Sequence, residues 1–319
     1  MATKLTGLAC DIEEDFGMRK VVGTFQRGLL AAFIAGSSIA VAEDIATELI
    51  LLGTGGGQRI FEHRSQTSQA LVHGGSTIVI DTGFNAARQL AWAGIDASSI
   101  DFIFITHDHP DHTQHIGRVL HAAWSAGRTT PIDVYSFPGI EEIIDTGLSE
   151  IDIGSSELAA VRRLAVLHDV TEGGVVHEDG LVKVTAAENS HGMEYSYGYR
   201  FDMPDRSIAF SGDTAYDEAI IELARGADVL VHGVLYMPWI EETIMAAADD
   251  PDELRRHVTS NHTPTERVGE VAVRANVGML VISHVAPTEL TANDEHLLVD
   301  ILRQDYSGPL VIGRDLMRL

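Results

Sequence analysis

Five runs of β-branched and apolar residues in this chain carry, at or near their end, a side chain that binds metal or moves protons. IDFIFITH reaches His107, LVKVTAAENSH reaches His191, SIAFSGD reaches Asp213, and VLVHGVL and MLVISHV hold His232 and His284. Runs of this composition are expected to be strands. Polar groups placed just past the apolar part of several strands converge when the strands pair, so the pattern predicts a sheet edge that assembles a site.

Further strands are expected at ELILLGTGGG (48–57), STIVIDTG (76–83), YGYRFD (197–202) and LVIGRD (310–315), with helical periodicity near 111–126, 217–225, 264–275 and 294–304. The alternation predicts an α/β layered architecture. From Glu43 to Leu319 no linker, low-complexity tract or short repeat interrupts it, and the stretch reads as one domain. With 319 residues and 45% hydrophobic content the chain suffices for a substantial core. The 47 acidic residues outnumber the 22 basic ones, and the formal charge of −25 argues against a surface that tracks nucleic-acid phosphates. Cys10 is the single cysteine, which excludes an internal disulfide framework and a cysteine-built zinc site.

Residues 1–42 are of a different kind. Arg19, Lys20 and Arg27 precede an apolar stretch that starts at Leu29 and closes on Ala40-Val41-Ala42. Basic, then apolar, then small residues predict a secretory signal peptide whose core is too short for a membrane span. The expectation is a periplasmic or secreted protein cleaved near Ala42, with translation starting at Met1 or Met18 and no membrane span in the mature chain. The removed segment holds four basic and four acidic residues, so the mature form keeps its charge of −25 and loses Cys10.

The stretch FITHDHPDHTQHIG, residues 104–117, gathers four histidines and two aspartates into nine positions. His107 and His109, two apart in an extended or turning segment, can bring their imidazoles to one ion. Pro110 ends the strand, and Asp111 and His112 then open a helix from which they can reach a second ion. Imidazole and carboxylate without thiolate suit zinc, with manganese or iron(II) as alternatives.

THDHPDH resembles the signature of the metallo-β-lactamase superfamily, and STIVIDTG, with Asp81 and Gly83, resembles that superfamily's preceding strand. The order LGTGGG, NSHGMEYSYGYRF, FSGDT, ADVLVH, NHTPTERVGEVA and LVISHVAP is similar to ribonuclease Z, over about residues 48–316. This resemblance implies a four-layer αββα sandwich and two zinc ions. Carried across residue by residue, it implies that His107, His109 and His191 bind one metal, that Asp111, His112 and His284 bind the other, and that Asp213 bridges both. A water between two cations loses its proton near neutral pH and becomes a nucleophile, which is the chemistry such a set supplies. Asp111 is then also the candidate general base. His262, in NHTP, matches the element that stabilises transition-state charge or protonates the leaving group. Asp81 reads as the partner that fixes a ligand imidazole's tautomer, and His115 as a support residue.

Two departures shape the functional expectation. Ribonuclease Z follows the ADVLVH region with a glutamate, where this chain has His232-Gly233, and HDVTEGGVVHEDG (168–180) is short and acidic where that family carries a long basic arm. Together with export and net charge they argue against nucleic acid and for a small-molecule substrate. The expected activity is an exported dinuclear-zinc hydrolase that cleaves an ester, lactone, lactam or phosphodiester bond. The alternatives are a ribonuclease Z-like phosphodiesterase acting on RNA and, from another class, a non-hydrolytic metal-binding or redox protein on the same fold. Trp124 reads as core packing. YMPWIEETIMAAADD (236–250), with Tyr236, Met237 and Trp239, reads equally as a pocket wall or a homodimer contact.

Overall fold

Short runs rich in Ile, Val, Leu and aromatics favour extended backbone, and when both faces of a strand must be covered the run is apolar throughout. The computed structural model describes residues 46–286 and 289–319. Cys10 and the signal-peptide and start-site expectations lie outside the described residues. Within them, β1 (Glu48–Gly53), β2 (Ser68–His73), β3 (Ser76–Ile80), β4 (Ile100–Phe104), β5 (Ile132–Ser136) and β6 (Ala165–Asp169) build one sheet. The second is built by β7 (Gly174–Glu178), β8 (Lys183–Glu188), β9 (Tyr197–Asp202), β10 (Ser207–Phe210), β11 (Val229–Leu235), β12 (Met279–Ala286) and β13 (Leu310–Ile312), and β14 (Met317–Arg318) returns to pair with β1. In each sheet the strands up to β3 or β10 pair antiparallel, and the following ones run parallel through helical crossovers.

Burial confirms four layers. Leu49, Leu51, Ile78, Ile80, Phe104, Tyr199 and Phe201 fill the space between the sheets, where Phe104 stacks on Tyr135 and meets Phe201 edge-on. The opposite face of the first sheet, with Ile50, Leu52, Val79 and Ile103, packs on the helices Ile116–Ser125 and Ile140–Ser149. The opposite face of the second, with Ala209, Leu230 and Ile282, packs on Thr265–Ala275 and Ala292–Leu302. This is the αββα sandwich expected.

The local expectations need correction in three places. The helix expected over 111–126 is two, Pro110–Thr113 and Ile116–Ser125, because His115 leaves helical geometry to cap the second and its N–H turns to Thr82 O, 2.9 Å away. The run 48–57 stops being a strand at Gly53, and 310–315 stops at Ile312, since the glycines and Asp315 beyond them form connections. Tyr236 and Met237 are fully buried. Met237, Leu235, Ile240 and Met245 form a small satellite core, so the aromatic and Met residues that suggested a pocket wall or dimer contact are internal, and only Trp239 stays half-buried. Trp124 lies half-buried on the first helical layer, near His121. Among the described residues no helix is long and apolar enough to cross a membrane.

Candidate metal centre

The parallel arrangement puts the C-terminal ends of β4, β10, β11 and β12 at one edge of the sandwich, where open α/β sheets present ligands. His107 and His109 follow β4, His191 follows β8, Asp213 follows β10, and His284 projects from β12. All seven expected ligands meet there in two groups: His107, His109, His191 and Asp213 in one, Asp111, His112 and His284 in the other, with the ligand atoms of each group within 4.8 Å of one another.

His284 reaches the centre by a device that β-pairing makes visible. His232 pairs with Ile282 and Val234 with Val285, so Ser283 and His284 together oppose the single residue Gly233. This is a bulge, and it re-aims the imidazole toward the site. His284 takes φ 44° and Asp81 φ 57°, left-handed geometry that costs a non-glycine residue about 1–2 kcal/mol each and persists only where the surroundings over-determine it.

Those surroundings also fix the imidazole tautomers. His112 Nδ1 lies 2.8 Å from Asp81 Oδ2, and His191 Nδ1 lies 2.8 Å from Asn261 O. Carboxylate and carbonyl oxygens only accept, so both Nδ1 atoms carry protons. Thr106 donates its hydroxyl proton to Asp81, leaving its oxygen to accept from His107 Nδ1 at 3.0 Å. Three imidazoles thus aim Nε2 inward, the atom left for a metal to take. Asp81 is the tautomer-fixing partner anticipated.

In the first group His109 Nδ1 lies 3.0 Å from His107 Nε2 and 3.1 Å from His191 Nε2. With His107 and His191 holding their protons on Nδ1, a proton on His109 Nδ1 or a cation must sit among the three nitrogens, and the spacing approaches the edge of about 3.3 Å expected for a zinc tetrahedron with bonds of 2.0–2.1 Å. In the second group Asp111 Oδ2 lies 3.3 Å from His284 Nε2 and 3.6 Å from His112 Nε2. Asp213 stands between the groups: Oδ1 is 3.1 Å from His284 Nε2, while Oδ2 is 3.5, 3.9 and 4.0 Å from the Nε2 atoms of His112, His191 and His107. His112 Nε2 and Asp213 Oδ1 are buried without a hydrogen-bond partner, which metal ligation would satisfy. The residues present fit two divalent cations.

The electrostatics agree with a site built for positive charge. Burial holds His107 and His191 below their ordinary pKa, keeping them neutral. Burial also opposes protonation of His112 and His284, but Asp213 and the neighbouring aspartates outweigh it and raise both. Burial pushes Asp111 up, and His112 and His284 more than offset this, bringing it to about 2. Asp213 is likewise held well below the carboxylate range by His284 and His112 against the effect of burial.

His262 belongs to neither group, yet its Nδ1 lies 3.7 Å from Asp213 Oδ2 with the side chain 28% exposed. His232, which shares the strand-end pattern, is buried, directs Nδ1 to Gly233 O at 2.6 Å and joins neither group. His115 accepts from Asn85 N at 3.0 Å and packs on Phe84, as a support residue does. Sequence reasoning missed the backbone of LGTGGG: Gly57 N donates to Asp111 Oδ2 at 2.7 Å, and a side chain on Gly56 would lie 2.5 Å from His284 Nδ1. The glycines there are the signal, since only bare backbone fits so close to two ligands.

The comparisons with known proteins agree with this geometry. A family model described as Beta-lactamase superfamily domain matches residues 76–285. The chain is similar to a ribonuclease Z of Mycobacterium sp. (strain KMS), 30% identical over 250 residues covering 75% of this chain and 84% of the relative. It is also similar to the ribonuclease Z of Mycobacterium marinum, 28% identical over 282 residues covering 85% and 98%. The crystal structure of human tRNase Z, short form, superposes with a TM-score of 0.63 at 18% identity, covering 85% of this chain and 98% of that one, which bears on the fold alone. With the model match spanning the strands that carry the centre, the chain belongs to the metallo-β-lactamase superfamily of hydrolases, in its ribonuclease Z-like branch.

Proposed function

We propose that this protein is a zinc-dependent phosphodiesterase of the ribonuclease Z type with RNA as substrate, His107, His109, His191 and Asp213 holding one ion and Asp111, His112 and His284 the other. The observation that carries the reading is a ligand set for two metals on a chain that spans 98% of a ribonuclease Z. Zinc bound there would polarise the scissile phosphate and make a water between the groups acidic enough to attack it. Asp111, its carboxylate steadied by the Gly57 N–H, would be placed to orient the attacking water and accept its proton. His262, on the open side, meets the leaving oxygen. The net charge of −25 does not exclude a nucleic acid, because a divalent pair would dominate the field inside the pocket.

One observation favours a second reading, a small phosphodiester. Two clefts, about 490 and 430 Å3, meet at Asp108, between the ligand residues His107 and His109, and both are lined by Asp108 and Glu142, with Glu150 in one and Glu194 in the other. No Lys or Arg is among their lining residues. The segment between β6 and β7 is a short connection of four residues, Val170–Gly173, not a basic arm. A chain of phosphates would meet carboxylates on both sides. Turnover by the zinc-loaded full chain of an RNA transcript, bis-p-nitrophenyl phosphate, a chromogenic β-lactam and an acyl homoserine lactone separates the cases. The proposal expects phosphodiester turnover and at least about 10-fold lower kcat/KM on the lactam and lactone, since a site complementary to a phosphoryl transition state stabilises an acyl one less. Faster lactam or lactone cleavage would overturn it, and turnover confined to the small diester would select the second reading.

Export is proposed from the basic, apolar and small-residue order of 18–42. Amino-terminal sequencing of protein recovered from the host's periplasm or medium is expected to begin near Glu43. An intact N-terminus in the cytosolic fraction alone would refute it.

A further inference from the structure

Asp315 lies in the connection between β13 and β14, where the chain crosses from one sheet to the other. Its carboxylate accepts four hydrogen bonds: at Oδ1 from Thr54 N (3.0 Å) and Thr54 Oγ1 (2.9 Å), at Oδ2 from Ser65 N (2.6 Å) and Gln89 Nε2 (2.7 Å). Arg64, buried beside it, donates to Thr54 Oγ1 at 2.7 Å and to Gly313 O at 2.9 Å. Thr54 and Ser65 are the two ends of the glycine loop, and Gly55 N closes on Ser65 O at 2.9 Å. One carboxylate therefore pins both ends of the loop, and with them its approach to the centre.

What the loop touches is one-sided. Gly57 N reaches Asp111 Oδ2, and Gly56 lies against His284 while its N–H bonds Val285 O at 3.0 Å, beside the bulge. Both contacts fall on the second group of ligands, and His107, His109 and His191 receive none of these contacts. A carboxylate is the acceptor such a pin needs, because all four groups facing it are donors. An amide of the same shape would turn an NH2 toward some of them.

We propose that Asp315, acting through Thr54 and the glycine loop, is a positioning residue that sets the metal affinity of the Asp111, His112 and His284 group and leaves the other group unaffected. The inference rests on the metal-centre reading above, and its test reports on that reading separately.

Zinc titration of the full chain, followed by bound-metal analysis and the visible spectrum of the cobalt(II) form, is the experiment. Wild type is expected to take one ion per group, two in all. In Asp315→Asn, and in Thr54→Val, which removes the shared hydroxyl, one ion stays tight and the other weakens about 10–100-fold, the usual cost of losing an outer partner of a ligand. Asp205→Asn, which disturbs a comparable clamp on Thr47 away from the centre, controls for general loosening and should keep both ions tight. Two tight ions in both Asp315→Asn and Thr54→Val would overturn the proposal, as would equal weakening of both sites. A wild type that binds fewer than two ions would instead refute the metal-centre reading itself.

Discussion

Asp213→Asn is expected to lower kcat/KM for a phosphodiester by at least about 10³-fold, equivalent to about 4 kcal/mol, and to reduce the zinc content below two per chain. Among the described residues the carboxylate stands within reach of both groups: imidazole nitrogens of His284 and His112 on one side and of His191 and His107 on the other lie between 3.1 and 4.0 Å from its oxygens, and His262 Nδ1 lies 3.7 Å away. Asparagine keeps the shape and removes the charge that those nitrogens and two cations would share, so the loss reports charge and ligation and not a cavity. Asp111 cannot substitute, being committed to the second group, and Asp81 is turned to Thr106 and the outer face of His112. Metal analysis and steady-state kinetics decide the matter, with circular dichroism as the check on folding. Full zinc occupancy together with a rate within ten-fold of wild type would remove Asp213 from its bridging place.

The parts of this centre that could be read from sequence share a physical property: their geometry is local. His107, His109, Asp111 and His112 sit within six residues, and the strand-to-helix break at Pro110 is itself a sequence signal, so their convergence on two neighbouring points follows from backbone geometry. His191 and Asp213 end runs whose apolar character announces strands, and only sheet pairing is needed to bring them in. His284 was expected from the same strand-end pattern, but the geometry that brings it in does not show in its own stretch of sequence. It lies inside β12 and faces the centre because an unpaired residue shifts the register, a feature whose sequence trace is Gly233 on the opposite strand. The Asp315 pin was invisible for the same reason at longer range, since it joins residues 54 and 315 through a crossing between sheets.

Three of the strands absent from the sequence expectations, β2, β6 and β7, are hidden for a related reason. β6 and β7 are edge strands, half-exposed and closed by Asp169 and Glu178, so they lack an apolar run. β2 opens with Ser68 and Gln69, polar residues that are nonetheless buried because Ser68 donates to Asp81 O and Gln69 to Thr67. A polar residue buried for the sake of a site looks like a loop residue in sequence. The net charge shows a comparable limit. It counts carboxylates without locating them, whereas the structure gathers Asp108, Glu142, Glu150 and Glu194 along two clefts that meet at Asp108, between His107 and His109.

His262→Ala is expected to retain both metals and to lower kcat by about 10² to 10⁴-fold, the range for removing a positioned proton-transfer group. Its neighbours are fixed: Asn261 O holds His191 Nδ1, Thr263 Oγ1 donates to Thr214 O at 2.8 Å, and Leu235 N bonds Thr263 O at 2.9 Å. The imidazole between them is therefore presented at a set place, 5.0 Å from the His191 ring and nearly parallel to that of His284, with one side open to solvent. An interaction made only as charge develops on the leaving oxygen lowers kcat and leaves KM within a few-fold, which distinguishes it from a residue that merely binds substrate. The two roles available to His262 then separate by leaving group. If it supplies a proton, p-nitrophenolate, which needs little protonation, should lose much less rate than an alkoxide leaving group. If it stabilises charge on the phosphoryl oxygens, the two should lose alike. A parallel fall in zinc content would instead make His262 a ligand, and the carry-over of its role from ribonuclease Z would fail.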